Sequence, residues 1–425
     1  INGIEPNTWL RRNNLGVIAS LDLTTKLTAS ANINYAGNKG QRPAQGYDGG
    51  SRNFVQCFQR TIDMKRLKDY KYADGTFLHW NLDVPNSDGS LDSYQPLYWN
   101  NPYFEANENL NNDDRDRIFG DIGLTYQVLP ELKLSGFVRT DSYIQNIEER
   151  SAVGGRYLSS FSTGKYQNKE MNYEFLGQYT KTWNDFSLTA NVGSNIYTRK
   201  YNYLLEKTEG GLISPDFYNI AASKDRPTVT SYLLRQQIRS LYAMASFGYK
   251  NIYYLDASIR NDNTSTLPEK NNSYYYPSVS GSIVFGELLK WKPLSYGKVR
   301  LSYAIAGSNV NPYRTSFVYG IGGIYDGPLG TINTIYVPDD IKNPDLQPSF
   351  AHSYEAGLDL KFLNNRFGVD FTLYKQENKN QIIDLKVSGT TGYSTTIINA
   401  GVIENKGVEL TLNGSPVRSE NFSWD

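Results

Sequence analysis

Cysteine is almost absent. Cys57 is the only one in 425 residues, so no intrachain disulfide and no thiolate zinc cluster can form. Set in "FVQCFQ", it reads as a small buried hydrophobe. Histidine is nearly as scarce. His79 and His352 lie far apart, form no HExxH-type pair and are expected to be structural or surface residues. Net charge is also missing, with 43 basic against 43 acidic side chains. That balance removes the basic excess of a nucleic-acid binder and the acidic tract of a solvating tail. Mean hydropathy is −0.53, and without a long apolar run helical membrane spans are excluded. The opening "INGIEPNTWLRRNN" has no apolar core of the kind a signal peptide needs. GxSxG, a Walker loop, a strand–GxGxxG–helix unit and Cys/His metal spacing are all lacking, so no enzyme or cofactor site is expected.

What is abundant is tyrosine (34) and glycine (36), with an aromatic share of 14%. Tyrosine suits strands, and suits places where one end of a side chain is apolar and the other wet. The main pattern is alternation with period two. In "LTASANINY", Leu27, Ala29, Ala31, Ile33 and Tyr35 alternate with Thr28, Ser30, Asn32 and Asn34. "FSLTANVGSNIY", "LYAMASFGY", "KVRLSYAIAG" and "RFGVDFTLY" repeat it, in about thirteen segments overall. Helical spacing is confined to 56–70 and to "GELLKWKP". The expected class is all-β.

Short polar connections (Thr24-Thr25-Lys26, Leu129-Pro130-Glu131, Trp183-Asn184-Asp185, Lys250-Asn251, Asn364-Asn365) alternate with long ones. The long ones fall at about 38–115, 150–168, 203–230, 263–273, 308–350 and 380–401. An up-and-down antiparallel barrel would gather the short turns at one end and the long loops at the other, as outer-membrane barrels do. A ten-residue strand tilted near 45° rises about 23 Å, which fits an apolar band of about 25 Å. A soluble β-protein with one buried face gives the same alternation. Against it stand the lack of a fixed-period repeat, loops too long for a sandwich, and a polar face rich in Asn, Ser, Thr and Gly, as a water-filled or plug-facing lumen requires.

Paired carboxylates, Asp113-Asp114 and Asp339-Asp340, fall in predicted loops, where Asp113-Asp114 reads as a solvated cluster. The oxygen-rich stretch 81–92 does not fit the EF-hand register, so no metal is assigned. The loop 71–105 carries Trp80, Tyr94, Tyr98, Trp99, Tyr103 and Phe104 among Asn and Asp residues. Trp80, Tyr94, Tyr98, Trp99 and Tyr103 are the candidate substrate-binding residues, since flat rings beside hydrogen-bonding groups stack on sugars or grip peptides. The alternative for the same residues is a small core for the loop itself, or an interfacial aromatic girdle.

"RLSYAIAGSNVNPY" (300–313), "NPDLQPSFAHSYEAGLDLKFLNNRFGVDFTLYKQENKNQI" (343–382) and "NAGVIENKGVELTLNG" (399–414) resemble the SusC/RagA family of TonB-dependent outer-membrane transporters of Bacteroidetes. Segments 15–35 and 98–126 resemble earlier barrel strands of that family. Gln347-Pro348-Ser349 departs from the Lys-Pro-Glu-like run expected there. Physically, Asn343-Pro344 and Gln347-Pro348 stiffen the approach to a strand. Asn364-Asn365 suits a left-handed hairpin turn. Gly401 and Gly407 suit bulges or close backbone approach.

The resemblance implies a barrel of about 22 strands, of which residues 1–425 would form about thirteen, with the N-terminal plug and the C-terminal strands outside this sequence. It further implies import of oligosaccharides or peptides across the outer membrane, a SusD-like surface lipoprotein as cap, and the TonB-ExbB-ExbD complex as energy source through an N-terminal region. Two alternatives share fewer of these features. One is a siderophore or cobalamin receptor without a lipoprotein cap. The other is a non-transporting adhesin or carbohydrate-binding β-protein.

Overall fold

The computed structural model describes residues 2–42, 60–82, 95–289, 291–420 and 422–424. Its strands, in chain order, are β1 (Trp9–Asp22), β2 (Leu27–Arg42), β3 (Asn111–Leu129), β4 (Leu132–Ser151), β5 (Ser160–Trp183), β6 (Phe186–Leu212), β7 (Ser223–Tyr249), β8 (Tyr253–Thr264), β9 (Ser273–Val284), β10 (Leu294–Ser308), β11 (Gly320–Gly327), β12 (Gly330–Tyr336), β13 (Asp340–Ile341), β14 (Ser349–Phe362), β15 (Phe367–Lys379), β16 (Ile382–Lys386), β17 (Thr395–Asn399), β18 (Val402–Gly414), β19 (Val417–Arg418) and β20 (Ser423–Trp424). Thirteen of them form one antiparallel sheet in the order β1 to β10, β14, β15, β18. Every neighbour in this sheet is the next one along the chain, apart from small strands inside two long loops. The up-and-down expectation therefore holds.

The short connections, 23–26, 130–131, 184–185, 250–252, 285–293 and 363–366, all fall at one end of the sheet. Left-handed residues make the turns tight: Asn184 (φ 51°), Lys250 (55°), Asn251 (56°), Asn364 (56°) and Asn365 (63°). Asparagine tolerates this region better than most residues. The long connections, 43–110, 152–159, 213–222, 265–272, 309–348 and 380–401, lie at the other end.

Register sorts the side chains onto two faces. Ile122, Val138, Tyr173 and Ile196 align across β3 to β6, and Val299, Leu358, Phe371 and Leu410 across β10, β14, β15 and β18. Ile122, Val192, Leu241 and Leu410 on this face are more than half exposed. Large aliphatic side chains left open along a whole sheet call for hydrocarbon rather than water as their solvent. On β3 the apolar positions run from Tyr126 to Ile118, with Asp116 and Asp114 beyond. Those nine residues span about 26 Å along the strand and about 20 Å at a 40° tilt.

Rings line the short-turn edge of the same face. Trp183, Phe186, Tyr249 and Tyr253 stack in sequence at 6.1, 4.6 and 6.2 Å, and Trp291 meets Phe362 at 6.2 Å. At the opposite edge Tyr303 lies 4.9 Å from Tyr354. Beyond them Lys375 bridges Glu377 (2.8 Å) and Glu404 (3.0 Å). Two aromatic girdles bounding an apolar band are the signature of an outer-membrane barrel wall.

The strands run further than the alternation suggested. β6 and β7 have 27 residues each, continuing well past the apolar band on the long-loop side. Several expected loops are therefore shorter. Asp113 and Asp114, expected in a loop, lie in β3, where Arg42 (3.6 Å) and Lys39 (3.5 Å) face them from β2. The charged run hid a strand because beyond the membrane both faces meet water, and cross-strand ion pairs replace apolar alternation. Of the two expected helical stretches, Met64–Lys68 and Gly286–Leu289 are helical. A third helix, Pro102–Glu108, was not anticipated. Cys57, Tyr94 and residues 83–92 of the oxygen-rich stretch lie outside the described residues. Among the described residues no group of metal-ligating side chains gathers.

Candidate functional site: lumen wall and loop cap

The face opposite the apolar band carries a belt of charge. Arg117 on β3 grips Asp141 on β4 through both carboxylate oxygens (Nε to Oδ1 2.7 Å). Arg139 on β4 pairs with Glu174 on β5, and the Tyr242 hydroxyl of β7 donates to the same carboxylate. Arg260 on β8 lies 5.7 Å from the Tyr242 ring centroid, donates to Ser240 (2.7 Å) and pairs with Asp262 (2.8 Å). Tyr276 of β9 donates its hydroxyl to Asp262. Further round, Arg300 holds Asp370 in a fork (2.9 and 3.1 Å) and donates to Thr372 (2.6 Å). Guanidinium–carboxylate forks are directional, so they hold neighbouring strands in register.

Two of these side chains reach past a strand. Tyr242 reaches Glu174 across Gly193 of β6, and Arg300 reaches Asp370 across Gly357 of β14. A Cβ at either glycine would overlap the crossing side chain. Glycine is needed at these positions for close approach, not for backbone freedom. Sequence reading missed the belt. Its signal was the repeated Arg-x-Asp on the polar phase, Arg139-Thr140-Asp141 and Arg260-Asn261-Asp262, but pairing over an intervening strand leaves no mark in one segment's pattern. The carbonyl oxygens of Asn191 and Asn195 on this wall are out of water and without a donor.

At the long-loop end, residues 60–82 and 95–110 fold over the start of the 152–159 connection. Asn101 caps the helix Pro102–Glu108 through Tyr103 N–H (2.9 Å), and its amide donates to Leu67 O (2.9 Å) and Leu78 O (2.8 Å). Asn before Pro at the first helical position is a recognisable start signal that sequence reading passed over. Phe104 is fully buried, with Phe77 at 4.8 Å and His79 at 5.1 Å. The His79 ring uses both nitrogens: Nε2 donates to Gly154 O (3.0 Å) and Nδ1 accepts from Asn101 N–H (3.0 Å). That arrangement requires the neutral ring, and burial pushes its pKa down to about 4. Glu105, also buried, accepts from Asn100 and Asn109. Tyr70 is pushed up to about 12 by burial and by Glu108 beside it.

The aromatic candidates divide. Trp80 and Trp99 stack nearly parallel at 5.9 Å (3° between planes), both half-buried, and Tyr98 leans on Trp99 at 5.6 Å while more than half exposed. Asn81 fixes the pair by accepting from Tyr98 N–H (2.7 Å) and Trp99 N–H (3.0 Å). The structure thus brings Trp80, Tyr98 and Trp99 together into one ridge. Tyr103 is half-buried on the neighbouring helix, and Phe104 belongs to the loop's own core.

The other long loops also interlock. Leu267, Val310, Leu346 and Ile397 come from three of the long connections and bury one another with Tyr274 of β9. β13 pairs β17 in parallel, and β17 pairs β16. β11 and β12 pair as a hairpin within the 309–348 connection, with Ile321 (88%) and Ile335 (68%) exposed.

A family model described as TonB dependent receptor-like, beta-barrel, matches residues 58–425. The chain belongs to this family of outer-membrane barrels. TonB-dependent receptor P26 of Formosa agariphila is 24% identical over 365 residues, which cover 80% of this chain and 36% of that protein. TonB-dependent receptor SusC of Bacteroides thetaiotaomicron is 26% identical over 205 residues, covering 46% of this chain and 20% of SusC. The aligned region thus spans about a third or less of these relatives' length. The structure of the RagAB peptide importer in the "closed-closed" state superposes with a TM-score of 0.80 at 17% identity, covering 97% of this chain and 45% of that one. The siderophore receptor PiuA of Acinetobacter baumannii reaches 0.53 at 13% identity, covering 98% and 56%. The resemblance to SusC and RagA drawn from residues 300–414 is borne out.

Proposed function

We propose that this chain forms part of the barrel of a TonB-dependent importer that takes oligosaccharides, or peptides, across the outer membrane with a SusD-like surface lipoprotein as its cap. The observation that carries the reading is the wall itself, a polar, charge-paired inner face behind a lipid-facing band, crowned by interlocked loops. Its likeness to the RagAB importer chain, at 0.80 against 0.53 for the siderophore receptor PiuA, favours the capped class. A free-standing adhesin has no use for a lipid-facing band and a charged lumen. In the whole protein a plug and the TonB-ExbB-ExbD complex would gate and power the lumen. The Trp80–Trp99–Tyr98 ridge would stack on substrate at the outer mouth, with Tyr94 and Tyr103 nearby in sequence. The exposed apolar hairpin β11–β12 is the surface we assign to the lipoprotein, since a patch of this kind on an outer loop marks a protein contact.

The test is purification of the full-length protein from outer membranes in mild detergent, with mass spectrometry of what accompanies it. A stoichiometric surface lipoprotein is expected, and shortening 320–336 to a tight turn should release it while the barrel stays assembled. Recovery alone would favour the siderophore-receptor class, and recovery in the soluble fraction would overturn the barrel reading.

A further inference from the structure

Where β1 to β4 emerge above the apolar band, their inner face forms a concavity of roughly 680 Å³. Three guanidinium groups line it, Arg12, Arg42 and Arg115, against the carboxylates of Glu5 and Asp113. Asp113 is already engaged, accepting from Gln145 (2.8 Å) and facing Arg42 (3.6 Å). Arg12 donates to a neutral group, Asn38 Oδ1 (2.8 Å). The Arg115 guanidinium sits over the Tyr143 ring, 4.0 Å from its centroid. The Nε donors of both Arg42 and Arg115 are out of water with no acceptor. No carboxylate among the described residues pairs with Arg12 or Arg115, so their outer guanidinium nitrogens offer charge that a group with anionic oxygens would satisfy.

We propose that this concavity is a subsite for the acidic substituent, a carboxylate or sulfate, of an anionic oligosaccharide. Arg12 and Arg115 pair with the anion, which a planar fork matches in geometry as well as charge. Amides of Asn38 and Gln145 line the same space and suit sugar hydroxyls. The site lies between the outer mouth and the paired belt of Arg117 and Asp141, so it would select substrate before the lumen is entered. This inference rests on the importer reading and narrows its substrate class.

The test uses the full-length protein in detergent, titrated calorimetrically with tetragalacturonate, maltotetraose and tetraglutamate. Tetragalacturonate should bind at least about tenfold tighter than maltotetraose, with a preference that shrinks as salt is raised towards about 0.5 M. Arg12→Gln with Arg115→Gln should weaken tetragalacturonate by about tenfold or more while maltotetraose stays within about twofold. Heat-modifiable gel mobility confirms that the variant barrel is folded. Maltotetraose binding as tightly as the uronate, unchanged by the variants, overturns the acidic subsite and leaves the importer standing. Tetraglutamate preferred over the uronate overturns the glycan assignment. No oligomer bound at all overturns this inference and the oligosaccharide reading together.

Discussion

Gly193→Val should lower the stability of the barrel by about 2–4 kcal/mol, far more than a valine at an ordinary strand position would. The Tyr242 ring lies where the new Cβ would go, and its hydroxyl must cross β6 at that point to reach Glu174. Two losses combine: about 1–3 kcal/mol from forcing side chains off their positions, and about 1.5–3 kcal/mol from a hydrogen bond to a charged group. Glu174 keeps Arg139 as partner, which moderates the total. The informative comparison is a double-mutant cycle with Tyr242→Ala, followed by the unfolding midpoint of the purified full-length barrel. Once the ring is gone the valine has nothing to strike, so the double variant should cost clearly less than the sum of the two singles. Strict additivity would mean that the crossing contact is not made.

Acid should loosen the loop cap selectively. His79 is buried and both its ring nitrogens are used in the neutral form. Its folded pKa of about 4 lies below the ordinary 6.5. Between these values the unfolded loop binds a proton that the folded loop refuses, so stability is full above about pH 6.5 and falls as pH drops towards 4. A displacement of this size corresponds to roughly 3 kcal/mol at the acid end. Amide exchange across 60–82 and 95–110, corrected for the intrinsic rate, should lose up to about two decades of protection between pH 7 and pH 4. The strands of the apolar band should change little. His79→Gln should remove most of this pH dependence and lower protection at pH 7, since one amide cannot reproduce both ring contacts. A pH profile identical in the variant would contradict the role given to His79.

What the sequence disclosed follows from where the chain meets hydrocarbon. Inside the band one face is apolar and the other polar, so period two is strong, and the thirteen sheet strands and the ends holding each set of turns were legible from it. Asn364 and Asn365 disclosed their left-handed turn for the same local reason. Above the band that contrast disappears. Asp113 and Asp114 looked like loop residues because their strand is held by cross-strand charges rather than by alternation. The belt from Arg117 to Thr372 was illegible because its contacts are set by register, and twice by a glycine in the strand between. Trp80 and Trp99 were picked out individually, but their stack depends on Asn81, whose role appears only once the loop has folded. Gly407 was expected to mark a bulge or a close approach of backbone. It instead faces the Tyr374 hydroxyl, which a Cβ would meet at 2.6 Å.

The central claim is that one face of this sheet meets lipid and the other a polar lumen. Val192 and Asn191 are adjacent on β6, near the middle of the band and on opposite faces. Arginine should be introduced at each in turn in the full-length protein, and the unfolding midpoint and the amount assembled in the outer membrane measured. Val192→Arg should cost about 2–4 kcal/mol and deplete the assembled barrel, while Asn191→Arg, in the lumen, should cost less than about 1 kcal/mol. Equal effects, or the reverse order, would contradict the assignment of faces and with it the barrel wall described above.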